Sequence, residues 1–385
     1  MGCGGSTPLP SEEEAPVIEV PGWNGVVYPQ KSERVKIIRK QSGNMATMTH
    51  TTTADMADVN AQIAAESTAG AGFRFVGWNY PVGSVIGAGD TLQPRDFKRP
   101  TEFSIHAEEE VETFAMMVFQ QVDMPASPLE TKTVSSEMTR ISKSYSQNSG
   151  AEKGNIIETS SSYDELFSKL KLLGDEGYSL SAVIDEPDAK QSLSGYDRVT
   201  KSTVTLVGQR VAGTAPRATT YTVQDVPIQI GQPSFTCLTA TMPTLNATLE
   251  EYFGPKRCKL AAVYNPPTVV TKSLMPFPKH LADNACHLIF EATDEPYAVH
   301  VVDVVLFSVA SNTHAGVQHA SYLTVIENFV AKGWELGAVI SMPDHGAKGL
   351  FKSWSTVKLL FQAKSNQPGL VHAPEPVPAA TTQTS

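Results

Sequence analysis

The chain has 385 residues, of which 41% are hydrophobic and 18% are charged, a composition compatible with one large or two ordinary globular domains. Its formal net charge of −10, with no long basic stripe to offset it, argues against a nucleic-acid partner because like charge repels phosphate. Four cysteines without a C-x-x-C pair are too few for a disulfide scaffold, and no apolar run reaches the roughly 18 residues of a membrane span. No secretory signal pattern is present near the start, so we expect a reducing compartment.

The chain begins with the glycine-rich stretch MGCGGS. Removal of Met1 would leave Gly2 as the terminus, and Met-Gly-x-x-x-Ser is the pattern for N-myristoylation, with Ser6 at the position where Ser or Thr is expected. One myristoyl chain holds a protein to a bilayer only marginally, so stable residence needs a second signal. A palmitoyl thioester on Cys3 would supply it. We therefore predict lipidation at Gly2 and Cys3, against the alternative of an unmodified terminus.

Residues 1–30 are rich in Gly, Pro and Glu, which predicts a flexible tether. A flexible segment of this length spans roughly 30 Å root-mean-square, so a folded body would lie close to the bilayer. The next segment, KSERVKIIRK, carries five basic residues, but glutamates within the first fifty residues offset them. We interpret it as a weak further lipid contact or, at least as readily, as a strand with exposed basic residues.

The sequence contains an internal repeat. The segments YDELFSKLKLLGDEGYSLSAVIDEP (163–187) and YLTVIENFVAKGWELGAVISMP (322–343) each indicate an amphipathic helix, a glycine, an aromatic residue and a short strand that ends at proline. Gly177 and Gly333 fall where the helix must reverse through a left-handed conformation, which favours glycine. A second strand follows, in which both copies share Ser-Thr-Val-x-Leu, at 202–206 and 355–359.

Two weaker copies fit the same template. In the copy nearest the N-terminus, a helical pattern precedes Gly72. In the third copy, Arg257 occupies the glycine position, and Gly254 ends the helix early. We therefore predict about four units in series, with turns at three glycines: Gly72, Gly177 and Gly333.

Each unit reads as strand, helix, strand, strand. Four such units predict an α+β fold, in which antiparallel-rich sheets are covered by helices. We place two units in a first half, 31–210, and two in a second half, 218–364, divided around a stretch that contains Gly and Pro. The serine-rich run 142–162 predicts a loop, and the tail 365–385 predicts disorder.

The sequence gives no sign of catalysis. It contains no G-x-x-x-x-G-K-[ST], no H-E-x-x-H and no G-x-S-x-G, and its glycine cluster at 83–89 has the wrong order for a dinucleotide loop. The adjacent pair Cys286 and His287 lies on a predicted strand, where neighbouring side chains point to opposite faces. We therefore predict no catalytic residue, no metal site and no cofactor.

On these residues the chain resembles the raftlin family, acylated proteins of the inner leaflet of the plasma membrane that associate with lipid rafts. The resemblance rests on Met1-Gly2-Cys3-Gly4 and on the helix, glycine, aromatic and strand segments, above all 322–343 with the strands from His287 and Pro296. It is clearest over 280–364, and this chain differs from raftlins in its short tail after the last strand.

The resemblance implies a non-enzymatic protein with a myristoyl group on Gly2 and a palmitoyl group on Cys3. It implies residence at the cytoplasmic face of the plasma membrane, with raft-like inner-leaflet lipids and membrane receptors as partners, and support of receptor signalling or ligand uptake. A hypothesis of a different class is a soluble module that binds a ligand or lipid in a cavity between the two halves.

Overall fold

The computed structural model describes residues 27–44, 49–68, 72–79, 108–121, 127–146, 155–161, 163–194, 197–234, 237–266, 283–310, 315–317, 320–347 and 352–371. These residues form eighteen strands and four helices. The strands are up to 18 residues long, whereas no helix exceeds 12 residues. The described part of the chain is therefore mostly β.

The elements fall into four successive units of similar composition. Unit 1 contains β1 (Gln30–Asn44), β2 (Thr49–Asp55), α1 (Ala57–Thr68), β3 (Phe73–Asn79) and β4 (Glu108–Gln121). Unit 2 contains β5 (Leu129–Ser146), β6 (Asn155–Ser161), α2 (Asp164–Asp175), β7 (Ser179–Asp185), β8 (Ala189–Ser194) and β9 (Asp197–Val211). Both β7 and β8 pair with β9, so together they occupy the place of one strand.

The second pair of units repeats this plan. Unit 3 contains β10 (Tyr221–Ser234), β11 (Cys237–Thr241), α3 (Leu245–Phe253), β12 (Cys258–Tyr264) and β13 (Asp283–Ala292). Unit 4 contains β14 (Tyr297–Ala310), β15 (Ala315–Val317), α4 (Ala320–Val330), β16 (Glu335–Ala347) and β17 (Lys352–Lys364). A last short strand, β18 (Gly369–Leu370), pairs in parallel with β14.

Every unit has the same sheet topology. The strand after the helix pairs with the last strand of the unit, the last strand pairs with the first, and the first pairs with the second, all antiparallel. Further hydrogen bonds join β2 to β8 and β11 to β16. Units 1 and 2 therefore share one nine-stranded sheet, and units 3 and 4 share another.

The four units close into a ring that resembles a β-propeller of four blades. The strands that follow the helices contact one another in cyclic order: β3 with β7, β7 with β12, β12 with β16, and β16 with β3. These four strands are thus the innermost ones. The ring brings the first unit of the chain against the last.

Apolar side chains fill each interface between consecutive units, which we call a seam. Each helix belongs to the cluster at one seam, and α1, α2 and α3 also contact the first strand of the following unit. Each cluster contains residues of two consecutive units: Phe75 and Val207, Leu170 and Ala261, Phe253 and Leu360, and Ile326 and Val118. Burial of this apolar surface favours closure of the ring.

The predicted α+β fold with helix-covered sheets is wrong. Each unit has one strand more than predicted, because the short second strands β2, β11 and β15 carry no apolar periodicity that a sequence could reveal. Each helix instead lies at a seam, where it packs with strands of its own unit and of a neighbouring unit. The prediction relied on the helices, whose apolar periodicity is the strongest in the sequence, although strands make up most of the described residues.

The predicted turn positions share one backbone conformation. The φ angles are +55° at Gly72, +81° at Gly177 and +91° at Gly333, and Arg257, at the equivalent position, has φ +51°. At Gly177 and Gly333 the next residue, Tyr178 or Trp334, donates its N–H to the carbonyl five residues earlier, 3.1 Å in both cases. This bond satisfies a carbonyl of the last helical turn.

Two stretches that were predicted without structure contain strands. The serine-rich run 142–162 includes the end of β5 and all of β6. The stretch from 365 includes β18, and the Val371 N–H donates to the Val299 carbonyl at 2.8 Å. Polar and small residues can pair as strands when a neighbouring strand supplies the hydrogen bonds, so composition alone misleads here.

An aspartate explains the Ser-Thr-Val-x-Leu pattern that units 2 and 4 share. The Asp188 carboxylate accepts hydrogen bonds from the Thr203 backbone N–H and hydroxyl, both at 2.8 Å. The Asp344 carboxylate accepts the same two bonds from Thr356, the one from the N–H at 3.1 Å. Each aspartate directly follows a proline, Pro187 or Pro343, and ties that part of the chain to the last strand of the unit.

We expect Asp344→Ala to lower the free energy of unfolding by about 1–3 kcal/mol, because it leaves the Thr356 N–H and hydroxyl without acceptors. Asp344→Asn keeps an acceptor for the N–H and can donate to the hydroxyl oxygen, so its cost should be small. Burial raises the pKa of the Asp344 carboxyl. Urea titrations at several pH values measure both effects.

The pH dependence of the free energy of unfolding that Asp344 causes has a definite sign. The pKa of Asp344 is higher in the folded than in the unfolded chain. The stability that Asp344 contributes is therefore greatest below the unfolded pKa and declines as pH rises through the folded pKa. The Asn variant should therefore gain stability relative to wild type as pH rises over this window. A pH-independent difference would contradict the argument. Asp294→Asn, at an exposed ion pair with Arg217, is the control.

Candidate functional site

The residues predicted to carry lipid, Gly2 and Cys3, and the motif residue Ser6 lie outside the described residues. Within the described ranges, no helix has the length and apolar character needed to cross a membrane. The same ranges contain no cluster of three or more His, Cys, Asp or Glu side chains suited to a metal ion.

The structure places Cys286 and His287 on opposite faces of β13. Cys286 lies in the apolar cluster that contains α3, whereas His287 contacts the aromatic rings of α2. Burial raises the pKa of the Cys286 thiol and of the Cys258 thiol, which disfavours the reactive thiolate at both. Neither cysteine has the environment of a nucleophile.

Polar residues converge where the four innermost strands begin. Two residues after the turn in each unit stand Arg74, Ser179, Lys259 and Glu335. Each pairs across the ladder with a residue of the last strand: Gln120, Gln209, Glu291 and Gln362. These last-strand residues are between 1% and 8% exposed, although they carry polar groups. Buried polar groups need partners, and the partners here come largely from neighbouring units.

Two of these glutamines join neighbouring units. The Gln209 Oε1 accepts the Phe75 N–H of unit 1 at 3.0 Å, and its Nε2 donates to Ser67 Oγ of α1 at 2.6 Å. The Gln362 Oε1 accepts the Leu260 N–H of unit 3 at 2.9 Å, and its Nε2 donates to the Leu260 carbonyl at 3.0 Å. In both cases the glutamine amide forms hydrogen bonds of the kind that a neighbouring strand would otherwise supply. It does so at a β-bulge, and each of the four innermost strands has a bulge at the equivalent position.

A different pair of side chains serves the bulge of unit 2. The Leu180 N–H donates to the Tyr221 hydroxyl of unit 3 at 2.6 Å, and that hydroxyl donates to the Tyr178 carbonyl at 2.8 Å. The Leu180 carbonyl accepts from the Arg74 guanidinium of unit 1 at 2.5 Å. One residue of unit 2 therefore holds side chains from units 1 and 3 close together.

A buried carboxylate completes the group. Glu291 accepts at Oε1 from Lys259 Nζ at 3.0 Å and from Ser179 Oγ at 3.5 Å, while its Oε2 has no hydrogen-bond partner. Burial and the Glu291 charge raise the pKa of Tyr221, whereas the Arg74 charge opposes this rise. We call Arg74, Ser179, Tyr221, Lys259 and Glu291 the axial cluster. It brings two cations and one anion of three units together near the ring axis.

A second polar feature lies at the seam between units 2 and 3. His287, which is 2% exposed, hydrogen-bonds through Nδ1 to Asp225 Oδ1 at 2.7 Å. Aromatic rings surround it, with centroid distances of 4.3 Å to Tyr163, 5.6 Å to Phe167 and 5.8 Å to Tyr264. Because a carboxylate only accepts, Nδ1 carries the hydrogen in this pair. The histidine joins α2 of one unit to the sheet of the next.

The sequence analysis did not single out the axial cluster. One signal was present: three of the four last strands have a Gln or Glu directly after an apolar run, in MMVFQ, LIFEA and LLFQA. A solvent-exposed residue at the end of a strand gives the same pattern, so the pattern indicates a buried polar residue only when the ring is known. Comparison with known protein families, with curated proteins and with solved structures finds no match for this chain.

Proposed function

We propose that the protein is a doubly acylated peripheral membrane protein of the raftlin type, whose ring-shaped body serves as a scaffold. The observation that carries this proposal is the N-terminal pattern, with Gly2, Cys3 and Ser6 all in the positions that myristoylation and adjacent palmitoylation use. The partition constant of a single myristoyl chain, about 10⁴ M⁻¹, makes a second chain necessary for stable residence.

The predicted anchor and the ring suit one another. The first described residue is Val27, and β1 begins at Gln30, so the lipid-bearing residues precede the body by a segment that can span roughly 30 Å if flexible. The body would then lie near the bilayer without inserting into it. Two saturated chains pack well among ordered lipids, which favours raft-like membrane.

The ring fits a scaffold role because it repeats one unit four times around an axis and so presents several outward-facing sheet and loop surfaces at once. In the proposed role these surfaces contact membrane receptors, and the protein supports their signalling or the uptake of their ligands.

We expect Gly2→Ala to move the protein almost completely from the membrane to the soluble fraction, because N-myristoylation requires glycine at this position. Without the myristoyl chain the protein also loses the weak membrane binding that addition of the palmitoyl chain requires. Cys3→Ser should retain weak, reversible binding and lose raft association. Fractionation of cells, followed by detergent-resistant membrane isolation, measures both.

Gly4→Ala is the matched control, because it changes a neighbouring glycine at a position where the pattern accepts many residues. It should behave as wild type. Mass spectrometry of the N-terminal peptide identifies the modifications directly. An unmodified Gly2, or a Gly2→Ala protein that remains membrane-bound, would refute the proposed anchor.

A further inference from the structure

The strand β18 adds to unit 4 at a place where the other units have no strand. It pairs in parallel with the start of β14, Ala298 with Gly369 and Val299 with Leu370. The first strands of the other units, β1, β5 and β10, pair on this side only with β2, β6 and β11, over their far halves. Within the described ranges, nothing pairs with the near halves on that side. The repeated unit therefore does not need such a strand.

The strand β18 is short, partly exposed and joined to the body by an exposed connection. It has two residues, and Leu370 and the following Val371 are only partly buried. The residues that lead to it from β17 include 366–368, all of which are exposed. A segment with little buried surface and an exposed connection opens at a much lower free energy than core strands do. We therefore expect β18 to leave its site without unfolding of the ring.

The site that β18 occupies lies between two units. We call it the β18 groove, and it is formed by residues 298–300 of β14 and by α3 of unit 3. Leu370 packs against the apolar cluster that contains α3, whereas Val371 packs against the cluster that contains α4. The three groove residues of β14 are at most 2% exposed. Departure of β18 would uncover apolar surface, which favours the return of this strand or of a similar one.

The groove recognises main-chain atoms of its occupant. The Val371 N–H donates to the Val299 carbonyl at 2.8 Å, and the Val371 carbonyl accepts from His300 Nδ1 at 2.7 Å. Because a carbonyl only accepts, Nδ1 of this histidine carries the hydrogen. Any extended peptide can form these two bonds, whatever its side chains. The apolar contacts of Leu370 and the φ angle of +119° at Gly369 then select the sequence.

We propose that the β18 groove is a docking site for an extended peptide of a partner protein, and that β18 is a resident occupant which the partner displaces. The partner peptide has the pattern of β18: a glycine, a large aliphatic residue and a β-branched residue. It adds as a strand to the edge of β14. As a tethered competitor, β18 acts at an effective concentration of roughly 1 mM, so the closed protein resists weak peptides. The proposal holds whether or not the N-terminus is acylated.

Fluorescence anisotropy of a labelled peptide with the sequence of residues 366–373, NQPGLVHA, tests this proposal on the purified full-length protein. Leu370→Asp removes the main apolar contact of β18 and leaves the groove unchanged. This variant should bind the peptide about tenfold or more tightly than wild type, because the competitor is released. Leu172→Asp, the same change at a leucine of α2 that is 53% exposed, should bind as wild type does. The peptide with aspartate in place of its leucine should bind neither protein.

Hydrogen exchange of the wild-type protein provides a second measurement that needs no variant. The peptide at about 5 mM should displace β18 and speed exchange of the Val371 N–H by about threefold or more. Amides of the ladder between β14 and β17 should keep their rates. This measurement decides the matter if thermal melting shows that Leu370→Asp does not fold.

Four results would overturn the proposal. The first is equal peptide affinity of wild type and folded Leu370→Asp, which would place the binding elsewhere. The second is no binding to either protein up to about 5 mM. The third is unchanged exchange at Val371 while the peptide is bound. The fourth is a wild-type dimer in size-exclusion chromatography that Leu370→Asp abolishes, since the occupant would then be β18 of a second copy.

Discussion

Phe329→Ala should lower the free energy of unfolding by about 3–5 kcal/mol. Phe329 is fully buried in α4, and its ring stacks on Phe361 with a centroid distance of 4.0 Å. It also contacts His300 at 5.5 Å and Trp334 at 6.3 Å. These four rings belong to the seam between units 4 and 1, so the substitution leaves a cavity where the ring closes.

Urea denaturation followed by tryptophan fluorescence measures this loss. Glu327→Ala is the control, because Glu327 lies on the exposed face of the same helix and should change stability by no more than about 0.5 kcal/mol. A Phe329→Ala protein that loses less than about 1 kcal/mol would show that the seam is not packed as described.

Gly72→Ala is the second substitution with a large expected effect, a loss of about 3 kcal/mol or more. The φ angle of Gly72 is +55°, where a side chain is strained, and an added Cβ would lie 1.8 Å from the Ser127 carbonyl oxygen. That oxygen belongs to the backbone, so the chain between units 1 and 2 would have to shift. Thermal and urea unfolding of the variant measure the cost.

Two other turn residues separate the causes of this cost. Gly213 has φ +76° with open space around it, so Gly213→Ala should show the conformational cost alone, about 1–2 kcal/mol. Arg257 already adopts φ +51°, so Arg257→Gly should raise stability by up to about 1 kcal/mol. Equal losses for Gly72→Ala and Gly213→Ala would contradict the clash with Ser127.

The turns and helices could be predicted because their causes are local. A glycine after an amphipathic helix marks a left-handed turn whatever the rest of the chain does, which is why Gly177 and Gly333 could be identified in isolation. The match of Arg257 to the same template looked loose, yet its φ angle places it in the same conformation. Spacing from the helix was a better guide there than residue type.

The ring could not be predicted because its causes are distant in sequence. Val118 of unit 1 packs in one cluster with residues of unit 4 that begin at Ala298, 180 positions later, and no periodic pattern encodes that contact. The short strands β2 and β11, with sequences THTTTAD and CLTAT, depend on pairing with β8 and β16. Without those pairings, the sequence indicated helices that cover sheets rather than helices at the seams between units.

The axial cluster was missed for a related reason. Gln209 lies in the strand TVTLVGQRV, where a polar residue after an apolar run also fits the exposed end of a strand. Its actual partner is the Phe75 N–H, 134 positions earlier. The unit repeat does align Gln120, Gln209, Glu291 and Gln362 once the turns are superimposed. That alignment is the sequence evidence by which such a site could be found in advance.

Nuclear Overhauser effects between methyl groups of the first and last units test ring closure most directly, and the axial cluster depends on that closure. In methyl-labelled protein, the Val118 methyls should show cross-peaks to methyls of unit 4 in the same apolar cluster: Val325, Ile326 and Leu336. Cross-peaks from Val118 to unit 1 methyls alone would mean that the first and last units do not meet, and would contradict the ring.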